Sequence, residues 1–432
     1  LPEEEQHQAG RVPAEDRRGL RNVLLKAFFG TAFALIMGAG ANAQILERAP
    51  QQLETVLYDS RRDACDGSDL PDAPTRAVRN SDGQLVLFAP NFKARAFEGP
   101  SLSALSKDCR IRFSAAGNPD PNQLDDRTWI HSMMSLPDGR IFALASASYM
   151  PYRHNQSCAD GKNRTACWYN GIAALISNDG GKSFSYLGIP PQHLVLRPPE
   201  PYSSSYRNPP GFITATNIVK HEGYAYTIVW YRGQKPTERY NCLLRASISN
   251  PLEWEAWTGS SYESVARFED NRWVTSDRTC AAIGEGVLEN VRSIIFHEPS
   301  KTFIAVYSRS SKPPHGTSGF YYSTSGNLRD WSDGKLIYQG RSPTREQLDD
   351  PTDLEVSITY PAFLDENSTD PDFGTGSNKF DLIFVRLAKT ASGGRISSYR
   401  QLVRVPLVYR SDSEVERTGS STIERSRHAI SP

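Results

Sequence analysis

The chain has 432 residues, and its 49 Lys and Arg are matched by 49 Asp and Glu, with a pI near 7.2. That balance excludes the basic footprint a nucleic-acid partner requires. The 19 Tyr, 18 Phe and 7 Trp, with 31 Gly and 29 Pro against only 4 Met, suit an all-β protein rich in turns.

In chain order, residues 1–43 read as a leader ending in a cleaved signal peptide. Arg17, Arg18, Arg21 and Lys26 precede an apolar run from Ala27 to Met37, and Ala41-Asn42-Ala43 offers small residues for cleavage before Gln44. The run is shorter than the ~20 residues a membrane span needs. Export gives the six cysteines a meaning, since oxidising compartments favour disulfides. Proximity, together with the blade reading below, suggests Cys65–Cys109, Cys158–Cys167 and Cys242–Cys280. There is no Cys-x-x-Cys, so a zinc site is the weaker reading.

Residues 44–64 read as a polar lead-in. After it, 75–79 and 84–89 alternate as strands about the Asp82-Gly83 turn. A second unit repeats this at 129–136 and 141–147 about Pro137-Asp138-Gly139, and continues into 172–187. A third runs through 213–220, 224–230 and 242–247 to Trp254. A fourth takes 291–296, 302–307 and 319–325 to Trp331, and a fifth 358–364, 380–387 and 400–407. Such units recur at spacings of roughly 65 to 80 residues, the mark of a β-propeller. The expected architecture is a five-bladed β-propeller of antiparallel four-stranded blades over residues 65–410, with disulfide-stapled loops. The Ser-, Arg- and Glu-rich residues 411–432 read as a disordered tail.

The late half of three units shares a pattern of strand, polar turn and aromatic plug. It ends in Phe184, Trp254 and Trp331. In the first case Ser177, Asp179, Gly180, Gly181 and Phe184 read as a tight hairpin, with Asp179 bonding across the turn in a structural role. This hairpin resembles the Asp box of sialidases. The chain as a whole resembles the five-bladed propeller glycosidases, a group of arabinanases, xylosidases and invertase-like enzymes. It is still more similar to a family of exported bacterial propellers of unassigned activity, through Asp69-Leu70-Pro71-Asp72, Asp125-Asp126-Arg127, Cys167-Trp168-Tyr169-Asn170 and Tyr360-Pro361-Ala362.

In a propeller the first strands of all blades converge on one funnel. Their entrances carry Asp72 and Arg76, then Asp125, Asp126, Trp129 and His131, then Asn217, then Glu289 and Arg292, and finally Glu355 and Tyr360. Glycoside hydrolysis needs a carboxylic acid for the leaving oxygen and a carboxylate as base or nucleophile. Asp72 and Asp126 are candidates for base and orienting carboxylate, and Glu289 for the acid. Arg76, Trp129, His131, Asn217, Arg292 and Tyr360 are candidates for substrate binding. Blander roles compete: a turn for Asp72, a surface ion pair for Asp126, a buried hydrogen-bonded imidazole for His131, inter-blade packing for Trp129. The glycosidases place Asp, Asp and Glu on the first three blades, whereas here the third entrance has no acid.

The expectation is therefore a secreted or periplasmic monomer acting on poly- or oligosaccharides. It would have no cofactor, no metal, no nucleic-acid partner and no membrane contact once the signal is cleaved. Glycoside hydrolysis is the first reading, and non-catalytic carbohydrate or surface binding the second.

Overall fold

The computed structural model describes residues 44–89, 91–159, 161, 165–235, 237–264, 266–269, 272–275, 280–285, 288–310, 316–341, 356–392 and 395–411. The expected leader, Glu355 and the expected tail from 412 onward lie outside them. The protein is all-β, with only short helical turns among the described residues. None of its helices there is long and apolar enough to cross a membrane.

Strands β1 (Gln44–Arg48) and β2 (Thr55–Asp59) come first, and their partner lies at the far end of the chain. The first antiparallel run is β3 (Arg76–Arg79), β4 (Leu85–Phe88), β5 (Lys93–Gly99) and β6 (Ser106–Ser114). The second is β7 (Arg127–Ser135), β8 (Ile141–Tyr149) and β9 (Tyr169–Ser177), edged by β10 (Ser185–Tyr186) and β11 (Leu194–Leu196). The third comprises β12 (Gly211–Ala215), β13 (Val219–His221), β14 (Tyr224–Arg232), β15 (Arg239–Ser247), β16 (Asn250–Trp257) and β17 (Tyr262–Glu263). A separate ribbon, β18 (Ala266–Glu269) with β19 (Arg272–Thr275), follows, and β20 (Ala282–Ile283) returns to β15. The fourth run is β21 (Val291–His297), β22 (Thr302–Arg309), β23 (Gly319–Ser325) and β24 (Lys335–Gln339). The fifth is β25 (Ser357–Leu364), β27 (Lys379–Ser392) and β28 (Arg395–Ser411), while β26 (Thr375–Gly376) pairs with β21. Both β1 and β2 pair with β28, so the stretch expected as a polar lead-in supplies the outer strands of the last run. Leu46 and Tyr58 anchor it in the core, 2% and 1% exposed.

Alternating side chains give each run two apolar faces, and each face is buried against a neighbouring run. Val86, Phe88, Ile141 and Leu175 join the first run to the second. Phe142 and Leu244 join the second to the third, Leu243 and Ile294 the third to the fourth, and Val306 and Val403 the fourth to the fifth. Tyr58, Leu87 and Leu402 then join the fifth back to the first. Phe184, Trp254 and Trp331 sit in three of these layers, as expected of plugs. Each such buried side chain contributes roughly 1.5–3 kcal/mol.

At Gly211, with φ +109°, a side chain would collide with the Asn170 carbonyl. Glycine there lets β12 lie parallel against β9. All three suggested disulfides are formed, Cys65–Cys109, Cys158–Cys167 and Cys242–Cys280.

Candidate functional site

The first strands of the five runs are tied together by polar side chains. Arg76, 2% exposed, donates to carbonyls on three other first strands and to that of its neighbour Thr75. Nη1 reaches Thr75 O at 2.9 Å, Nη2 reaches Ala215 O at 3.2 Å and Arg292 O at 2.6 Å, and Nε donates to His131 O. One layer along, Ser132 Oγ donates to Thr216 O, and the Asn217 amide takes Ile294 N at 3.0 Å and gives to Ile294 O at 2.7 Å. Ser293 Oγ donates to Asn217 Oδ1 at 2.8 Å and accepts from Phe363 N at 3.2 Å. Arg76, through four of its N–H groups, and Asn217, through its amide, thus hold the ring of strands.

The register of these strands reveals where side chains are re-aimed. Against its second strand, β7 carries one extra residue at His131, β12 one within Ile213-Thr214, β21 one at Arg292, and β25 one within Tyr360-Pro361. Four β-bulges thus flank the layer that Arg76 spans. A bulge turns an extra side chain away from the regular alternation and is favoured beside active sites. The cause at β25 is local: Pro361 has no N–H to give the ladder. Tyr360 pays for the distortion with φ +54°, a conformation costing about 1–3 kcal/mol outside glycine.

The bulges bring together residues far apart in sequence. Tyr360 faces Asp72 Oδ1 across a long 3.5 Å contact, and the Arg292 guanidinium lies 5.6 Å from the centre of the Tyr360 ring. Arg400, from β28, donates to Asp72 Oδ1 at 2.5 Å and to Pro71 O at 2.6 Å. Burial, reinforced by Asp72, pushes the Tyr360 phenol up to about 12, so it stays protonated at neutral pH. Burial, with Arg292 beside it, lowers Arg76 to about 9. Burial and the same two guanidinia keep His131 well below the ordinary imidazole range. Thr75 Oγ1 and His131 Nδ1 are buried without a hydrogen-bond partner, as is Trp129 Nε1. Trp129 is half-buried, edge-on to Phe92 at 6.4 Å between centroids, and Arg127 lies over Phe92 at 3.2 Å.

Asp126, a candidate base or orienting carboxylate with a surface ion pair as its rival reading, is in an ion pair, but a buried one. Its side chain is 0% exposed, Oδ2 accepts from Met150 N at 3.0 Å, and Oδ1 is gripped by Arg153. It pins the short helical turn Pro151–His154. Asp125 accepts from Ala116 N at 3.1 Å in a loop. Glu289 is exposed, and its carbonyl accepts from Asn241 Nδ2 at 2.8 Å. Sequence reasoning missed Arg400 altogether; no local signal marks it. It also missed the bulges, although Tyr360-Pro361 within an inner strand was a usable cue.

Asp179 spends its oxygens inside the hairpin, accepting from Ser177 Oγ at 2.8 Å, Ser183 N at 2.9 Å and Ser183 Oγ at 2.5 Å. A groove of about 870 Å³ lies elsewhere, between β9 and β15–β16, lined by Tyr224, Arg245, Trp254 and Glu255. Within it Arg245 meets Glu255 at 3.2 Å and lies over Tyr224 and Tyr262. His193 also lines it, and burial lowers its imidazole to about 4.

No family model matches the chain, and no curated protein matches it in sequence. Solved structures similar to it include an α-L-arabinofuranosidase from Lactobacillus brevis, at 10% identity and TM-score 0.42, covering 77% of this chain and 90% of that one. An endo-arabinase from Bacteroides thetaiotaomicron stands at 11% and 0.42, with 77% and 94% covered. A xylan β-1,4-xylosidase from Bacillus halodurans stands at 10% and 0.41, with 78% and 53% covered.

Proposed function

We propose that the five runs are blades of a β-propeller whose central channel acts on a saccharide, with glycoside hydrolysis as the reaction. The observation that carries this reading is the coincidence of four bulged first strands with Tyr360, Arg292, Asp72 and Arg400 in one cluster. Asp72 serves as base, directly or through the Tyr360 hydroxyl, and Arg400 fixes its orientation. Glu289, exposed three residues before Arg292, supplies the acid. Trp129 offers an aromatic face to a sugar ring. Asp126 positions the 151–154 turn at the mouth, and Arg76 and Asn217 hold the ring. The three disulfides favour an exported protein, secreted or periplasmic.

The experiment is a screen of aryl glycosides and plant and bacterial polysaccharides, with Asp72→Asn, Tyr360→Phe and Glu289→Gln as controls. Turnover that the variants abolish supports the assignment; turnover left intact in all three removes it.

A second reading, binding without catalysis, has its own observation. Asp72 is the one carboxylate in the cluster among the described residues, and Arg400 already holds it, whereas hydrolysis by two carboxylates needs a pair. Retention of intact oligosaccharide on a glycan array without released product would support binding.

A further inference from the structure

The charge balance inside the channel departs from that of a neutral saccharide site. Of Arg76, Arg292 and Arg400, only Arg400 meets a carboxylate among the described residues, Asp72 at 2.5 Å. No carboxylate contacts Arg76 or Arg292 among the described residues. Four of the five N–H groups of Arg76 have carbonyl partners, which leaves one on Nη1. Arg292, only partly buried, has its ring contact with Tyr360 and, with the Asn290 amide oxygen turned toward it, a bond to Nη2 at 3.3 Å. Carbonyl dipoles alone compensate a buried guanidinium poorly.

A second, independent observation points the same way. Thr75, 3% exposed, and His131, 4% exposed, each hold a side-chain atom with no partner. Thr75 adjoins Arg76 in the chain, and His131 supplies a carbonyl to the same guanidinium. Buried polar atoms of this kind are ordinarily satisfied.

We propose that the channel binds the carboxylate of an acidic sugar, such as a uronate, through the Arg292 fork, the remaining Arg76 N–H and the Thr75 hydroxyl. This rests on the reading of the channel as a saccharide site. An open guanidinium fork pairs in bidentate fashion with a carboxylate, the anion that a uronate carries on its ring. His131, held neutral, adds no charge and offers its free nitrogen to a neighbouring sugar hydroxyl.

Isothermal titration of the full-length protein at neutral pH tests this with D-glucuronate and D-galacturonate, each against its methyl ester. At least one acid should bind ten-fold or more tightly than its ester. Arg292→Gln should erase that preference, and Arg292→Lys should restore part of it. Equal affinity for acid and ester, or binding of neither, overturns the proposal without needing any variant. So does sulfate or chloride bound as tightly as the uronate, which would mark an inorganic-anion site. The outcome separates from that of the hydrolase reading. Cleavage of a neutral glycan with indifference to uronates removes only this inference, and uronate binding with no glycosidic bond broken removes only the hydrolase.

Discussion

Asp126 and Asp72 stand at the entrances of neighbouring runs, and the sequence treats them alike. The structure does not. Asp126 is wholly buried, with a backbone N–H on one oxygen and Arg153 on the other. Asp72 keeps 30% of its side chain exposed and shares its cluster with the half-buried Tyr360 and with Arg292, which meets no carboxylate among the described residues. A carboxylate whose bonds are all made holds a loop in place. One left beside unsatisfied groups is available to a ligand.

That contrast is sharpened first at the Asp72–Tyr360 cluster. Tyr360→Phe and Asp72→Asn should each lower turnover of an identified substrate by about 10²–10⁴-fold, the usual worth of a positioned proton-transfer group. Thermal unfolding should move little, and kcat measured beside melting curves checks both halves. Asp126→Ala should do the reverse. Removing one partner of a buried ion pair costs about 3–5 kcal/mol, so denaturant unfolding should show a large loss of stability. If Asp126→Ala melts like the parent but loses turnover, the two carboxylates have been assigned the wrong way round.

A smaller effect concerns His131, whose folded imidazole lies well below its ordinary range through burial and the nearby guanidinia. As pH falls below about 6.5, the unfolded chain takes up a proton that the folded one refuses, so stability falls by up to ~1.4 kcal/mol per pH unit. It is fully retained above that range. Stability measured from pH 7.5 to 5 should show a shallower fall in His131→Gln; matching slopes would place the imidazole in solvent. The smallest effect belongs to the hairpin. Asp179→Ala should cost about 1 kcal/mol from its hydrogen bonds and leave turnover unchanged, as a paired melting and activity assay would show.

Much of this was legible in the strand alternation, in the turns at Asp82-Gly83 and Pro137-Asp138-Gly139, and in the hairpin around Asp179. Each depends on residues within a few positions of one another. The three disulfides followed from proximity once the units were recognised. Residues 44–64 were harder, because β1 and β2 find their partner β28 only after the whole chain has come round.

The sequence by itself thus determined the strands, their turns and the layers of apolar side chains, since backbone sterics and side-chain period are local properties. Only the tertiary structure decided the site. Arg400 meets Asp72 across 328 positions, and a single extra residue in β21 or β25 decides which way the side chains of Arg292 and Tyr360 turn. Register and ring closure are set by partners distant in the chain, and no short stretch of sequence contains them.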